Sequence, residues 1–187
     1  MRIALFVLLS VSMISCSGAV VLDRQAPATL QIEPGGFEEG TVERVIDGDT
    51  IEVRVESVVE GPGAGNAPPG RVYDVRLIGI DTPETVKPDS PVECFGVEAS
   101  AAATALLEGS AVRLVDDVEN VDGYGRLLRY VYLEGEMANA RLVANGYASA
   151  YTYPPNVRHA DLFVELQREA RENDRGLWSS DTCSGES

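Results

Sequence analysis

Residues 41–56 read TVERVIDGDTIEVRVE, and this stretch decides the fold class. Its Asp47-Gly48 dipeptide is a tight-turn sequence that separates two runs rich in β-branched residues. In the second run apolar and charged residues alternate, which is the period of a strand with one buried face. The stretch therefore predicts a β-hairpin, with strands at 41–46 and 50–56.

The rest of the chain predicts three more strands and three helices. Residues 61–70 hold four Gly and three Pro, which mark a loop. Strands are predicted at 71–80, 111–116 and 127–133, and helices at 97–107, 137–145 and 157–173, the last capped by Asn156. Five strands followed mostly by helices indicate an α+β fold that is mainly β. The expected architecture is a five-stranded Greek-key barrel of the OB type with about three helices.

The length, composition and charge of the chain limit the functions that it can have. At 187 residues, with 44% hydrophobic residues, the chain fits one domain with a single core. The formal net charge of −15 at pH 7 is the reverse of the basic surface with which proteins bind nucleic acid tightly. This charge excludes a broad basic binding face, but it leaves room for a local cationic site with a bound metal ion.

The N-terminal segment is typical of export. Residues 1–17 contain a charged start, an apolar stretch and small residues, which predict a signal peptide too short to span a bilayer. Two processing routes compete, lipoprotein cleavage before Cys16 and ordinary secretory cleavage, and we favour a lipidated Cys16. Residues 18–40 predict a flexible linker, 41–180 the domain and 181–187 a C-terminal tail. The expected location is secreted or in the cell envelope, with the lipid anchor as the only membrane contact.

The three cysteines support this interpretation. A lipidated Cys16 leaves Cys94 and Cys183, an even pair in an oxidising compartment. We therefore predict a disulfide between them, because an exposed free thiol outside the cell is a liability. The alternative is two separate free thiols.

Three motifs follow one another along the chain: VIDGDT at 45–50, VRLIGIDTPET at 75–85 and DGYGR at 122–126. Together they resemble the staphylococcal nuclease family, and the resemblance runs from about Thr41 to Trp178. It implies an OB-fold barrel and a calcium-dependent phosphodiesterase. Any one of these motifs alone is an ordinary turn or strand sequence.

Arg76 interrupts an apolar strand, where an unpaired charge is costly, so it needs an anionic partner. That partner is either a neighbouring carboxylate or a phosphate, which a guanidinium binds through two parallel hydrogen bonds. The resemblance assigns Arg76 to the scissile phosphate. Arg126 lies in the glycine-bracketed loop, which by itself indicates a surface turn. The resemblance implies that Arg126 stabilises charge on the phosphoryl oxygens and helps the leaving group to depart.

Asp49 and Asp81 each lie at a strand end beside a threonine, where irregular backbone offers carbonyl oxygens to a hard cation such as calcium. Both positions are also ordinary turn sequences. The resemblance implies that Ca²⁺ is bound by Asp49, Asp81 and the backbone carbonyl of Thr82. It also implies that Glu84 orients or deprotonates the attacking water, a role that suits a carboxylate beside a metal ion.

The aromatic residues and the single histidine are also informative. Tyr124, Tyr151 and Tyr153 could stack on a base or pack against the barrel. The resemblance implies that Tyr124 lies near a flanking phosphate and Tyr151 near the base. His159 is the only histidine, and it is predicted on the exposed side of a helix, which argues against catalysis by a histidine pair.

These observations predict an exported, monomeric, calcium-dependent endonuclease that hydrolyses single-stranded DNA or RNA and leaves 3′-phosphate ends. The alternative is a catalytically weak or silent OB-fold module of the cell envelope that binds nucleic acid or a protein partner. Silent copies of such domains lose the arginines, the glutamate or the metal carboxylates, whereas this chain keeps all of them. The sequence therefore favours the enzyme.

Overall fold

A computed structural model of the protein describes residues 35–85 and 91–183. The predicted signal peptide, Cys16 and most of the predicted linker lie outside these described residues. The elements in chain order are β1 (Phe37–Asp47), β2 (Thr50–Val59), β3 (Arg71–Leu77), β4 (Ile80–Asp81), α1 (Gly96–Leu107), β5 (Ala111–Val115), β6 (Leu127–Leu133), β7 (Glu136–Met137), α2 (Ala138–Ala144), β8 (Ser149–Ala150), α3 (Ala160–Glu172) and a 3₁₀ turn (Gly176–Trp178). No helix in the described ranges is long and apolar enough to span a membrane.

Five of the strands close into a barrel. β1, β2 and β3 form an antiparallel meander, and β1 also pairs with β5, which in turn pairs with β6. β3 and β6 run parallel, with Val75 opposite Leu127, and this pairing closes the barrel. β7 extends the edge at β6, while β4 and β8 form a separate two-stranded ladder. The predicted α+β fold, a five-stranded OB-type barrel with three helices, is confirmed.

The predicted hairpin is present, and it is longer than its alternating pattern indicates. Ile51, Val53 and Val55 are fully buried in the barrel core, as the alternation predicts. β1 begins at Phe37, within the segment expected to be linker, because Phe37 pairs with Val59 at the far end of β2.

A buried ion pair explains why the start of β1 does not look like a strand in the sequence. Glu38 and Arg129 are both fully buried, and Arg129 Nε lies 2.6 Å from Glu38 Oε2. Glu38 Oε1 accepts the backbone N–H of Ala67, which holds the loop between β2 and β3. Arg129 also donates to the backbone carbonyl and the side-chain oxygen of Asn120, at 3.0 and 2.6 Å. Removing one partner of such a pair typically costs about 3–5 kcal/mol, because a charge is left buried and unpaired.

The single strand predicted at 71–80 is interrupted. β3 ends at Leu77, and Gly79 turns the chain at φ 80°, so that Ile80 begins β4 and pairs with β8. A Cβ at Gly79 would lie 2.2 Å from Cε2 of Phe163. Glycine is therefore required both by the backbone angle and by the packing of α3 against the turn.

The first two predicted helices are confirmed as α1 and α2, and the third begins later than predicted. α3 starts at Ala160 rather than at residue 157, and the prediction that Asn156 caps it is wrong. The Asn156 side chain instead accepts the backbone N–H groups of Val118 and Glu119, at 3.0 and 2.7 Å. Asn156 therefore stabilises a neighbouring loop and leaves the helix without a side-chain cap.

The prediction that His159 is exposed is also wrong. Only 1% of its surface is exposed, and it packs edge-on against Tyr130, with ring centroids 4.5 Å apart. Because α3 begins after His159, the helical phase from which the exposure was predicted does not apply to this residue.

Cys94 and Cys183 form a disulfide, with their sulfurs 2.06 Å apart. The bond joins the segment before α1 to the chain that follows the 3₁₀ turn, across a sequence separation of 89. That turn is held against the body of the domain, because Leu177 N–H donates to the carbonyl of Gly146 at 2.9 Å. The disulfide therefore ties both ends of the helical region together.

Replacing both cysteines by serine is expected to lower the free energy of unfolding by up to about 4–5 kcal/mol, the chain-entropy value for a loop of this length. Urea unfolding of the double variant and its parent measures this difference. Without reductant, iodoacetamide should label neither Cys94 nor Cys183 in the unfolded parent protein. Labelling at both positions would contradict the pairing.

Candidate active site

Arg76, on β3, is a fixed cation between two carboxylates. Its Nη1 donates to the carbonyls of Leu77 and Ile80, at 2.7 and 2.8 Å, and the turn after β3 brings the second carbonyl within reach. Its Nη2 lies 2.9 Å from Asp81 Oδ1 and 3.0 Å from Asp49 Oδ2. The carboxylate partner that the sequence analysis weighed for Arg76 is therefore present in the protein. The Arg76 side chain nevertheless stays 15% exposed and lines an open groove, so a ligand can reach it.

Asp49 and Asp81 contact the same guanidinium nitrogen, so the two carboxylates lie close together. Asp49 also accepts hydrogen bonds from Thr50 Oγ1 at 3.0 Å and from the backbone N–H of Thr82 at 3.1 Å. Burial raises the pKa of the Asp81 carboxyl, and the charge of Asp49 raises it further against the opposing effect of Arg76. Two carboxylates that repel each other in this way form a site that attracts a cation.

The oxygen donors at this position fit a hard cation. Asp49 and Asp81 supply carboxylate oxygens, and the buried Thr82 Oγ1 has no hydrogen-bond partner within the described ranges. A Cβ at Gly48 would lie 2.7 Å from that oxygen, so glycine keeps this corner open. The described part of the chain contains no group of three or more His, Cys, Asp or Glu side chains arranged to hold a metal. A cation here would therefore also take backbone and water oxygens, as calcium does.

Glu84 lies beside the β1–β2 turn and is not among the residues that line the groove in front of Arg76. Its backbone is held by Glu93, since Glu84 N–H donates to Glu93 Oε2 at 3.0 Å and Glu93 N–H donates to Glu84 O at 2.9 Å. The pKa of the Asp47 carboxyl is raised, mainly by burial and also by the neighbouring Glu84 carboxyl. Hydrogen bonds from the Thr85 hydroxyl and from backbone N–H groups act in the opposite direction and are outweighed. Glu84 is thus held against the turn that carries Asp49.

Arg126 precedes β6 and belongs to a tight loop that its own side chain helps to close. Its Nε donates to Asp122 Oδ2 at 2.7 Å, and its Nη1 lies 3.4 Å from Thr50 Oγ1. The guanidinium carbon lies 5.5 Å from the centre of the Tyr124 ring. This loop follows Asn120, which the buried Arg129 holds in place. Arg126 is 30% exposed and faces the same side of the barrel as Arg76.

Asp122 holds Arg126 and its loop, although no role was predicted for it from the sequence. Its Oδ1 accepts the backbone N–H groups of Tyr124 and Arg126, at 2.9 and 3.0 Å. Burial acts to raise the pKa of Asp122, but these backbone hydrogen bonds and the Arg126 guanidinium outweigh burial and lower it. Asp122 is therefore an anion that orients Arg126. An aspartate that opens a glycine-rich turn is the sequence signal that identifies such a residue.

The arginines and tyrosines border one open groove of about 860 Å³. Its wall includes Arg76, Asp81, Arg126, Tyr124 and Tyr151. The tyrosine rings are exposed rather than packed into the barrel, with 90% of Tyr124 and 50% of Tyr151 accessible to solvent. The structure therefore brings both arginines, one of the carboxylates and all three candidate stacking rings, Tyr153 included, onto a single surface.

Guanidinium groups bind phosphate, and paired carboxylates attract hard cations. An OB-type barrel that presents both features beside exposed aromatic rings defines a class of proteins that act on nucleic-acid phosphates.

A family model described as staphylococcal nuclease homologue matches residues 74–180, and the chain belongs to the staphylococcal nuclease family. It is 42% identical over 141 residues to a thermonuclease of Staphylococcus intermedius, which covers 75% of this chain and 76% of the relative. A thermonuclease of Staphylococcus hyicus is 40% identical over 137 residues, covering 73% of each chain. The endonuclease YncB of Bacillus subtilis is 36% identical over 141 residues, covering 74% of this chain and 61% of the relative. The family and these relatives support a nuclease function.

Proposed function

We propose that the protein is an exported, monomeric, calcium-dependent endonuclease that hydrolyses single-stranded DNA or RNA and leaves 3′-phosphate ends. The observation that carries the proposal is that Arg76 and Arg126 line one groove, with Asp49 and Asp81 in contact with Arg76. The thermonuclease and endonuclease relatives support the same reaction.

Arg76 binds the scissile phosphate in this proposal. Two backbone carbonyls hold its guanidinium, so its orientation is set before the substrate arrives and less freedom is lost on binding. A calcium ion held by Asp49, Asp81 and the backbone carbonyl of Thr82 would supply positive charge to the phosphate oxygens. Arg76 would then be released from part of its pairing and could donate to the substrate.

Glu84 orients a water molecule and accepts its proton as the water attacks phosphorus. Attack opposite the 5′ oxygen breaks the bond to that oxygen and leaves the phosphate on the 3′ side. Arg126 donates hydrogen bonds to the phosphoryl oxygens and to the departing 5′ oxygen, which takes a proton from water and leaves as a hydroxyl group. The pentavalent centre carries more negative charge than the substrate, so guanidinium groups fixed in advance bind the transition state more tightly than the ground state.

A cleavage assay on single-stranded DNA tests the proposal. The purified protein is expected to cut in calcium, to stop when a chelator is added, and to recover when excess calcium is restored. The products should resist extension by a polymerase until a phosphatase removes the 3′-phosphate. Asp74→Asn controls for the loss of an acid outside the proposed site, because Asp74 is exposed on β3 and does not line the groove. This variant should leave cleavage unchanged. Binding without cleavage would favour the catalytically silent module, and cleavage that survives chelation would exclude the calcium site.

Export is supported by the sequence of residues 1–17, which lie outside the described part of the chain. In this proposal Cys16 carries a lipid, and the segment that follows tethers the nuclease to the cell envelope. Cys16→Ala is expected to move the protein from the membrane fraction to the soluble fraction, as measured by immunoblot after fractionation. Unchanged fractionation would exclude the lipid anchor and leave ordinary secretion.

A further inference from the structure

Many arginines in the described part of this acidic protein are paired with its own carboxylates. Arginines outside the groove form ion pairs with nearby carboxylates: Arg44 with Glu52, Arg54 with Glu43, Arg113 with Glu39, Arg158 with Asp117, and Arg168 with Glu165. Proteins that follow a nucleic-acid backbone over many nucleotides need free cations spaced along that path. These arginines do not provide such a path.

The groove itself carries more acids than bases. Arg76 and Arg126 are the only cations among its described wall residues, and the acids are Asp81, Glu119 and Asp122. Asp81 lies against Arg76, and Asp122 lies against Arg126. Glu119 has no ion pair within the described ranges, so its carboxylate is the unmatched charge of the wall.

The backbone of Glu119 is held firmly. Its N–H donates to Asn156 Oδ1 at 2.7 Å, and its carbonyl accepts from Asn156 Nδ2 at 3.0 Å. Asn156 is only 5% exposed, so this contact is shielded from water. The backbone of Glu119 is therefore fixed, and its exposed side chain starts from a defined point on the same groove wall as Tyr124 and Tyr151.

We propose that Glu119 is a specificity-determining residue that lowers the affinity of the groove for longer strands, so that the groove prefers short single-stranded segments. A phosphate bound between Arg76 and Arg126 is matched by positive charge, but the flanking phosphates of a longer chain meet the Glu119 carboxylate and no compensating cation in the described wall. Neighbouring bases can still gain stacking on the exposed tyrosines, which is insensitive to sequence. This inference depends on the proposed nuclease function, and it names the substrate class that the groove prefers.

Salt dependence gives the inference a quantitative form. Each phosphate contact on a single strand contributes a slope of about −0.7 to the logarithm of affinity against the logarithm of salt concentration. Two contacts, from Arg76 and Arg126, therefore predict a slope of about −1.4. A protein that follows the backbone with four or more cations would show a slope of about −3 or steeper.

The test measures binding separately from cleavage. Fluorescence anisotropy follows a labelled thymidine 20-mer and a labelled thymidine trinucleotide from 25 to about 500 mM NaCl at fixed calcium, on a Glu84→Gln background that prevents turnover. Adding Glu119→Gln is expected to tighten 20-mer binding by about three- to fivefold at low salt and to leave no difference at high salt, where the charge is screened. Trinucleotide binding should change less than about twofold, because few flanking phosphates are present.

Glu134→Gln is the matched control, since Glu134 lies in the turn at the opposite end of β6 and is not part of the groove wall. An equal effect of Glu119→Gln and Glu134→Gln, or a parent slope of −3 or steeper, would overturn the inference. Cleavage by the protein with Glu84 intact is measured in parallel. A protein that binds as described but does not cut contradicts the nuclease proposal and leaves the role of Glu119 in binding standing.

Discussion

Glu84→Gln is expected to lower the turnover of single-stranded DNA by on the order of a hundredfold to a thousandfold or more, because it removes the carboxylate that accepts the proton of the attacking water in the proposed mechanism. Glutamine keeps the length of the side chain and an oxygen that can accept the N–H of Thr85, which Glu84 accepts at 3.0 Å. The contacts between the Glu84 backbone and Glu93 do not depend on the carboxyl group. The domain should therefore remain folded while the chemical step slows.

The measurement is kcat and KM for a single-stranded oligonucleotide in calcium, with circular dichroism and a thermal melt as checks on folding. Glu98→Gln provides the matched control, because Glu98 is an exposed glutamate in the first turn of α1, away from the groove wall. Its kinetics should match those of the parent. A folded Glu84→Gln protein with near-parental turnover would contradict the role of Glu84 in catalysis, even with the fold unchanged.

Arg126→Ala is expected to lower kcat by on the order of a hundredfold to a thousandfold while changing KM much less, since its donors are used most in the transition state. Asp122 would keep its two backbone hydrogen bonds from the loop, so the loop should persist without the guanidinium. Arg126→Lys should restore only part of the rate, because an ammonium is a point charge and lacks the planar pair of donors.

Arg113→Ala is the control for loss of a cation. Arg113 is exposed on β5, lies over the Phe37 ring and pairs with Glu39, and it takes no part in the groove. Steady-state kinetics over a range of oligonucleotide concentrations separates kcat from KM. A variant at Arg126 that kept its kcat and lost only affinity would show that Arg126 binds the ground state and the transition state equally, which contradicts its assigned role.

Local signals in the sequence were sufficient to predict the hairpin, the other three strands of the barrel and two of the helices, and to identify the family motifs. Alternating apolar residues bury one face of a strand wherever that strand lies, and glycine ends a helix or turns a chain for reasons contained in a few residues. The candidate catalytic and metal-binding residues were proposed from three motifs, each of which is local. The disulfide partners followed from the interpretation that Cys16 is lipidated, which leaves Cys94 and Cys183 as an even pair.

Long-range pairing decided the rest. Asn156 looks like a helix cap in sequence, yet its amide is used by the loop at Glu119, which is distant along the chain. Glu38 looks like a linker residue in the sequence. Its burial in the first part of β1 depends on the ion pair that it forms with Arg129 of β6.

The sequence by itself determined the fold class, the family motifs and the acidic character of this protein, because those depend on residue identity and short-range periodicity. Only the tertiary structure decided which carboxylates neutralise which arginines, that Glu119 lies on the groove wall without an ion pair to any described residue, and that Asp122 orients Arg126. The physical reason is that charge interactions depend on distances between side chains, and residues far apart along the chain reach those distances only after the barrel has closed.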